Sequence, residues 1–140
     1  MTLLKFLQAS IMASYEIEII LNRQLADCLS LPVFITDTAG DLIFYNEAAE
    51  KILGRRFEET GEMPKEKWST AFKPLDDDGN QLPPEELPLV KTLKEVYPHH
   101  KSLRIESLNG VIHDISVTSY LIISRSGNFL GAVAIFWKRR

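Results

Sequence analysis

One cysteine, Cys28, is all the chain holds. A lone thiol cannot close an internal disulfide or build a thiolate zinc site, so disulfide scaffolds and cysteine-ligated metal folds are excluded. That usage suits a reducing, cytoplasmic setting, with Cys28 read as a small buried apolar residue. Long apolar runs are also missing, because no stretch reaches the roughly 18 residues a membrane helix needs. The opening MTLLKFLQASIMAS carries one basic residue and is broken by Gln8 and Ser10, which argues against a secretory leader. Positive charge is not in excess. Sixteen Lys and Arg stand against 19 Asp and Glu, for a net charge of −3. The short basic cluster Lys138-Arg139-Arg140 is no footprint for nucleic acid. Phosphate-loop, HExxH and GxSxG signatures are absent, and the pairs Glu58-Glu59 and Glu85-Glu86 are neighbouring surface acids; nothing here points to an enzyme.

What remains is the composition of a globular domain, 45% hydrophobic and 25% charged over 140 residues, long enough to bury a substantial core. Residues 3 to 29 have helical periodicity: Leu4, Leu7, Ile11 and Tyr15, continued by Ile17, Ile20, Leu21, Leu25 and Cys28. Pro32 ends the pattern. So apolar a stripe must pack on the chain's own sheet or on a second copy of itself. PVFITD and LIFY, separated by Thr38-Ala39-Gly40-Asp41, read as two strands and a turn. Asn46 is a natural N-cap for the helix that follows, with Glu47 and Glu50 in its first turns, Ala48, Ala49, Ile52 and Leu53 as its stripe, and Gly54 as its C-cap.

MPKEKWSTAF predicts a short helix carrying Trp68, Ala71 and Phe72, and Asp76 to Asn80 a turn. A helix is expected to start at Pro83-Pro84-Glu85-Glu86, with Leu87, Val90 and Leu93 on its apolar face and Pro88 one turn in. The last third reads as three strands. Asn109-Gly110 signals a tight hairpin, SRSGN a second turn, and FLGAVAIFW a central strand. The expected architecture is α+β: one five-stranded antiparallel sheet, a helical crossover on one face, and a preceding amphipathic helix. Residues 1–29 are assigned to that helix and 30–140 to the domain.

This order and these residues resemble the PAS domain family. Gly40, Tyr45, Asn46, Ala48, Ala49, Leu53 and Gly54 match the family's second strand and the helix after it. DGNQLPPEELPLVKTL resembles the segment through the long helix of one large subgroup, and Gly110, Gly127 and Gly131 fall in what look like the closing strands. The resemblance implies a sensory module that binds a small ligand or a protein partner, dimerises through its N-terminal helix, and regulates transcription or a kinase. Family members usually close the last strand with an Asp-x-Thr-type motif. This chain reads Trp137-Lys138-Arg139-Arg140 there, leaving signalling through a bound partner or through an effector on a longer chain.

The resemblance supplies the candidate sites. His99 and His100 lie where haem-binding relatives place an axial histidine, although adjacent strand residues point to opposite faces and only one can reach a cavity. His113 reads as a structural histidine on the crossover-facing side of its strand. Flavin of the cysteine-adduct type is disfavoured, since the crossover has no cysteine. Phe44, Trp68, Phe72, Leu89, Leu93, Ile115 and Val117 are the expected cavity lining. Asp76, Asp78, Gly79 and Glu85 imitate part of a calcium-loop spacing, but Pro74 occupies its first position, so a solvated turn is expected. A domain with a dry, collapsed interior that serves only protein interaction is the remaining alternative.

Overall fold

The computed structural model describes residues 16–71, 73–107 and 109–139. In order, the elements are α1 (Ile17–Cys28), β1 (Val33–Asp37), β2 (Leu42–Tyr45), α2 (Glu47–Leu53), α3 (Phe57–Thr60), α4 (Lys65–Ala71), β3 (Pro74–Leu75), a 3-10 turn (Pro84–Glu86), α5 (Pro88–Glu95), β4 (His99–Glu106), β5 (Ile112–Ile123) and β6 (Phe129–Lys138). The strands form one antiparallel sheet in the order β2-β1-β6-β5-β4-β3. The sheet has six strands where five were expected. The extra one is the two-residue β3, which pairs with Ile105 and Arg104 of β4. Two residues with a proline carry no periodicity that a sequence pattern could reveal.

Two apolar clusters lie on the two faces of the sheet. The inner cluster joins Phe34, Leu103, Ile115, Val117 and Phe136 to Trp68, Leu87 and Leu89 of the crossover. The outer one joins Val33, Ile35, Phe44 and Val133 to Ile19 and Ala26 of α1. Both faces of β1 and β2 are therefore covered, which is why VFITD and LIFY are apolar almost throughout. β4 alternates instead, because its outer face meets solvent. Asn46 caps α2 by accepting from Ala49 N, and Gly54 closes the helix with φ 84°, both as expected.

Pro84 does not begin one continuous helix. Leu87 is extended (φ −73°, ψ 135°) and α5 starts at Pro88. The ring of Pro88 disfavours helical ψ at the residue before it, so the chain must break there and restart with proline at the first helical position.

Four connections share one five-residue turn: Asp37–Asp41, Asp76–Asn80, Ser107–Val111 and Ser124–Asn128. In each, the first amide donates to the fifth carbonyl and the fourth amide to the first carbonyl. The fourth residue is always glycine, with φ between 85° and 93°, a region that side-chain-bearing residues avoid. The first residue is Asp or Ser. Asp37 Oδ1 accepts from Ala39 N and Asp41 N, Asp76 Oδ1 from Asp78 N and Asn80 N, and Ser124 Oγ from Asn128 N. The Asn109-Gly110 hairpin thus forms with three residues inside its closing pair, not the two expected of a tight turn. The Asp76–Asn80 segment is a closed turn of this kind, with Asp77 paired to Arg139.

α1 packs on the chain's own sheet along one side only. Ile19 and Ala26 pack on the sheet, whereas Ile17, Leu21 and Leu25 are 60%, 54% and 55% exposed. Cys28 is exposed too, correcting its reading as a buried residue; it lies on the outward stripe. Leu4, Leu7, Ile11 and Tyr15 lie outside the described residues. No described helix is long and apolar enough to cross a membrane.

Candidate functional site

Between the crossover and the inner face of the sheet lies an apolar cavity of about 70 Å³. Alternation along the strands builds its floor: Leu103 and Ile105 from β4, Ile115 and Val117 from β5, Ala134 and Phe136 from β6, and Phe34 from β1. Ala134 is small, and the neighbouring Phe34 and Phe136 lock edge to face with centroids 5.2 Å apart, so the floor stays open beside rigid rings. Leu53 closes one side from α2. Leu87, Pro88 and Leu89 close another, at the broken entry to α5. Trp68 and Ser69 of α4 lie over the floor. Trp68 is fixed, since its indole N–H donates to Gly40 O at 2.8 Å.

Of the residues expected from sequence, Trp68, Leu89, Ile115 and Val117 meet in this cavity. Phe44 does not. A β-bulge lies between the Ile35 and Thr36 pairings of β1 with β2, so Ile43 and Phe44 both belong to the outer cluster while Leu42 and Tyr45 belong to the inner one. Simple alternation from Leu42 would have sent Phe44 inward; the bulge reverses that parity. On the outer face the Arg23 guanidinium sits 4.4 Å from the centre of the Phe44 ring. Leu93 packs on the margin of the inner core and faces a separate depression beside Gly40 and Lys65. Phe72 lies outside the described residues.

The histidines are elsewhere. His99 Nε2 rests on the Glu95 carboxylate, with Tyr97 edge-on to its ring. His100 is on the outer face, stacked on Trp137 at 5.9 Å and bonded to Thr118 Oγ1 at 2.9 Å. His113 pairs with Ile105 in the β4–β5 ladder; burial, and secondarily Lys138, hold its pKa below the ordinary value. No imidazole is among the described lining residues, and the volume is far below that of a porphyrin. The lining residues do not fit haem, and His99 and His100, the candidate haem ligands, are not among them. Flavin fits no better, because the lining offers almost no polar group to meet its ring edge. Among the described residues no cluster of His, Cys, Asp or Glu could hold a metal ion.

Sequence patterns did not reveal Phe34, Phe136, Leu103 or Ser69 as lining. The first three were within reach of strand alternation had the faces been known. Nothing in the pattern marks Ser69.

Three further sets of hydrogen bonds hold α1, α2 and α5 to the rest of the fold. Asn46, 1% exposed, uses its side chain four times: Oδ1 accepts from Val33 N and Ala49 N, and Nδ2 donates to Ala26 O and Leu31 O. Glu18 Oε1 accepts from Arg125 N, holding the other end of α1 to the β5–β6 turn. Thr92 of α5 and Ser119 of β5 share a buried hydroxyl pair, and Ser119 Oγ donates to His99 O.

A family model described as PAS domain matches residues 21–91. The chain is similar in structure to the PAS domain of a protein from Colwellia psychrerythraea (17% identity, TM-score 0.59, covering 86% of this chain and 97% of that one). It is also similar to the PAS domain of nitrogen regulation protein NR(II) from Vibrio parahaemolyticus (15%, 0.59, 83% and 95%). A third likeness is to the light-state dimer of the fungal blue-light photoreceptor Vivid (11%, 0.58, 78% and 78%). No curated protein matches by sequence.

Proposed function

The chain belongs to the PAS domain family, and on that premise we propose that it is a non-catalytic sensory and signal-transduction module with two working faces. The inner face binds a small apolar ligand in the cavity under the crossover. The outer face carries α1, which pairs with α1 of a second copy. The observation that supports this reading most is the division of apolar surface: a cavity lined by apolar side chains on one side, and an exposed stripe of Ile17, Leu21 and Leu25 on the other. The stripe runs i, i+4, i+8 and reaches Cys28 at i+11, the narrow spacing of a helix seam that a like helix complements. Vivid, of similar fold, is seen as a dimer in its light state.

Ligand binding acts by population shift. A ligand that fits one arrangement of crossover and sheet better than another favours that arrangement, and the Asn46 bonds carry the difference to the end of α1. The effector, whether it controls transcription or a kinase, is reached through the dimer.

Sedimentation of the wild-type chain and of Leu21→Glu/Leu25→Glu tests the outer face. The wild type is expected to be a dimer and the variant a folded monomer, and a variant that stays dimeric overturns this part. Native mass spectrometry of the protein tests the inner face against the rival reading of a dry interaction domain. A retained small molecule supports the sensor, and the absorption spectrum is expected to show neither a haem nor a flavin band.

A further inference from the structure

Ser69 is 2% exposed, lines the cavity, and its hydroxyl has no hydrogen-bond partner among the described residues. Its neighbour Thr70 does what helical hydroxyls usually do, bonding back to Glu66 O and Lys67 O. Ser69 makes no such bond. A buried hydroxyl left unpaired is unfavourable, so at a wall that serves only to be dry, alanine would be the better residue. Ser69 is also the only polar side chain among the described lining residues apart from the Trp68 indole, whose N–H is already committed to Gly40 O. No lysine, arginine or histidine lines the cavity among these residues, so a carboxylate or ammonium entering it would lose its water without gaining a counter-charge.

We propose that Ser69 sets the cavity's specificity, and that the ligand is a small neutral molecule, hydrocarbon over most of its surface, with one hydroxyl or carbonyl group that pairs with Ser69 Oγ. The proposal rests on the cavity being a binding site, as proposed above. Acids, amines and polycyclic cofactors are excluded by the same lining, and pure hydrocarbons are disfavoured because they leave the hydroxyl unpaired.

The test uses three probes of one chain length, butan-1-ol, 1-chlorobutane and butanoate, titrated into methyl-labelled wild-type protein and Ser69→Ala. The readout is the NMR signals of Leu89, Leu103, Ile115 and Val117. Butan-1-ol is expected to shift these methyls in the wild type. Its affinity relative to 1-chlorobutane is expected to fall about fivefold in Ser69→Ala, the loss of one ordinary hydrogen bond. Butanoate leaves the methyls unmoved. Because the deleted hydroxyl has no partner, Ser69→Ala is expected to melt no lower than the wild type. An unchanged alcohol-to-chloride ratio in Ser69→Ala, or butanoate binding as tightly as butan-1-ol, overturns the role of Ser69 while leaving the cavity a binding site. If none of the three probes moves the methyls in either protein, the binding reading itself is overturned, and this proposal with it.

Discussion

Asn46 Nδ2 donates to the carbonyl of Ala26 at 2.8 Å, joining the loop before α2 to the last turn of α1 across 20 positions of sequence. The same amide also donates to Leu31 O, and its oxygen accepts from Val33 N and Ala49 N. One side chain thus satisfies ends of two helices and the first amide of β1. An asparagine can do this because its amide offers two donors and two acceptor positions.

Asn46→Ala strands two amides and two carbonyls in a buried site and is expected to cost about 3 kcal/mol in urea unfolding at neutral pH. Asn46→Asp keeps both accepting bonds but sets a carboxylate against the Ala26 and Leu31 carbonyls. Its loss should be comparable at pH 7 and should shrink in acid, as the new carboxyl gains a proton and can donate again. An Asn46→Asp variant whose deficit is the same at pH 4 and pH 7 would contradict this picture.

Gly131 and Gly127 should respond very differently to alanine. A Cβ on Gly131 would lie 2.1 Å from Thr36 O, a backbone atom held in the β1–β6 ladder, so the sheet itself would have to move. Gly131→Ala is expected to lose about 3 kcal/mol or more. Gly127 has φ 87° but open space around it, so only the left-handed backbone penalty applies, about 1 kcal/mol. Paired denaturation curves check the ordering, and equal costs would show that the close approach at Gly131 is not tight.

Tyr45 is 1% exposed, with its hydroxyl bonded to Arg55 O and Thr60 Oγ1 at 3.0 Å each. Burial raises its pKa above 10.0; Glu50 adds to the effect, while the bond from Thr60 opposes it. The folded state therefore holds the proton more tightly than the unfolded chain. Stability from this group is complete below pH 10 and is lost as pH rises through the folded value. Tyr120 is shifted the same way by burial. Unfolding free energy is expected to fall steadily above pH 10, and Tyr45→Phe to lower stability by about 1 kcal/mol at neutral pH while flattening that alkaline decline. A variant with an undiminished decline would assign it to other groups.

Local chemistry made much of the fold legible. Asn46 and Gly54 announced both ends of α2, since capping depends on one side chain and one dihedral angle. The longer strands and helices could be read from their periods, and the Asp/Ser-x-x-Gly spacing at 37–40, 76–79, 107–110 and 124–127 marks four turns whose second and third residues all differ. These signals are short-range, so the sequence determined them alone. It did not determine which side of the sheet each apolar residue meets. That depends on pairing between distant segments: a single bulge in β2 turned Phe44 outward, and the packing of α1 on β1 and β2 chose Ile19 and Ala26 as its inner face and left Leu21 and Leu25 exposed. The solitary hydroxyl of Ser69 in an apolar cavity has no counterpart in sequence at all, because being unpaired is a property of its surroundings, and only the tertiary structure supplies them.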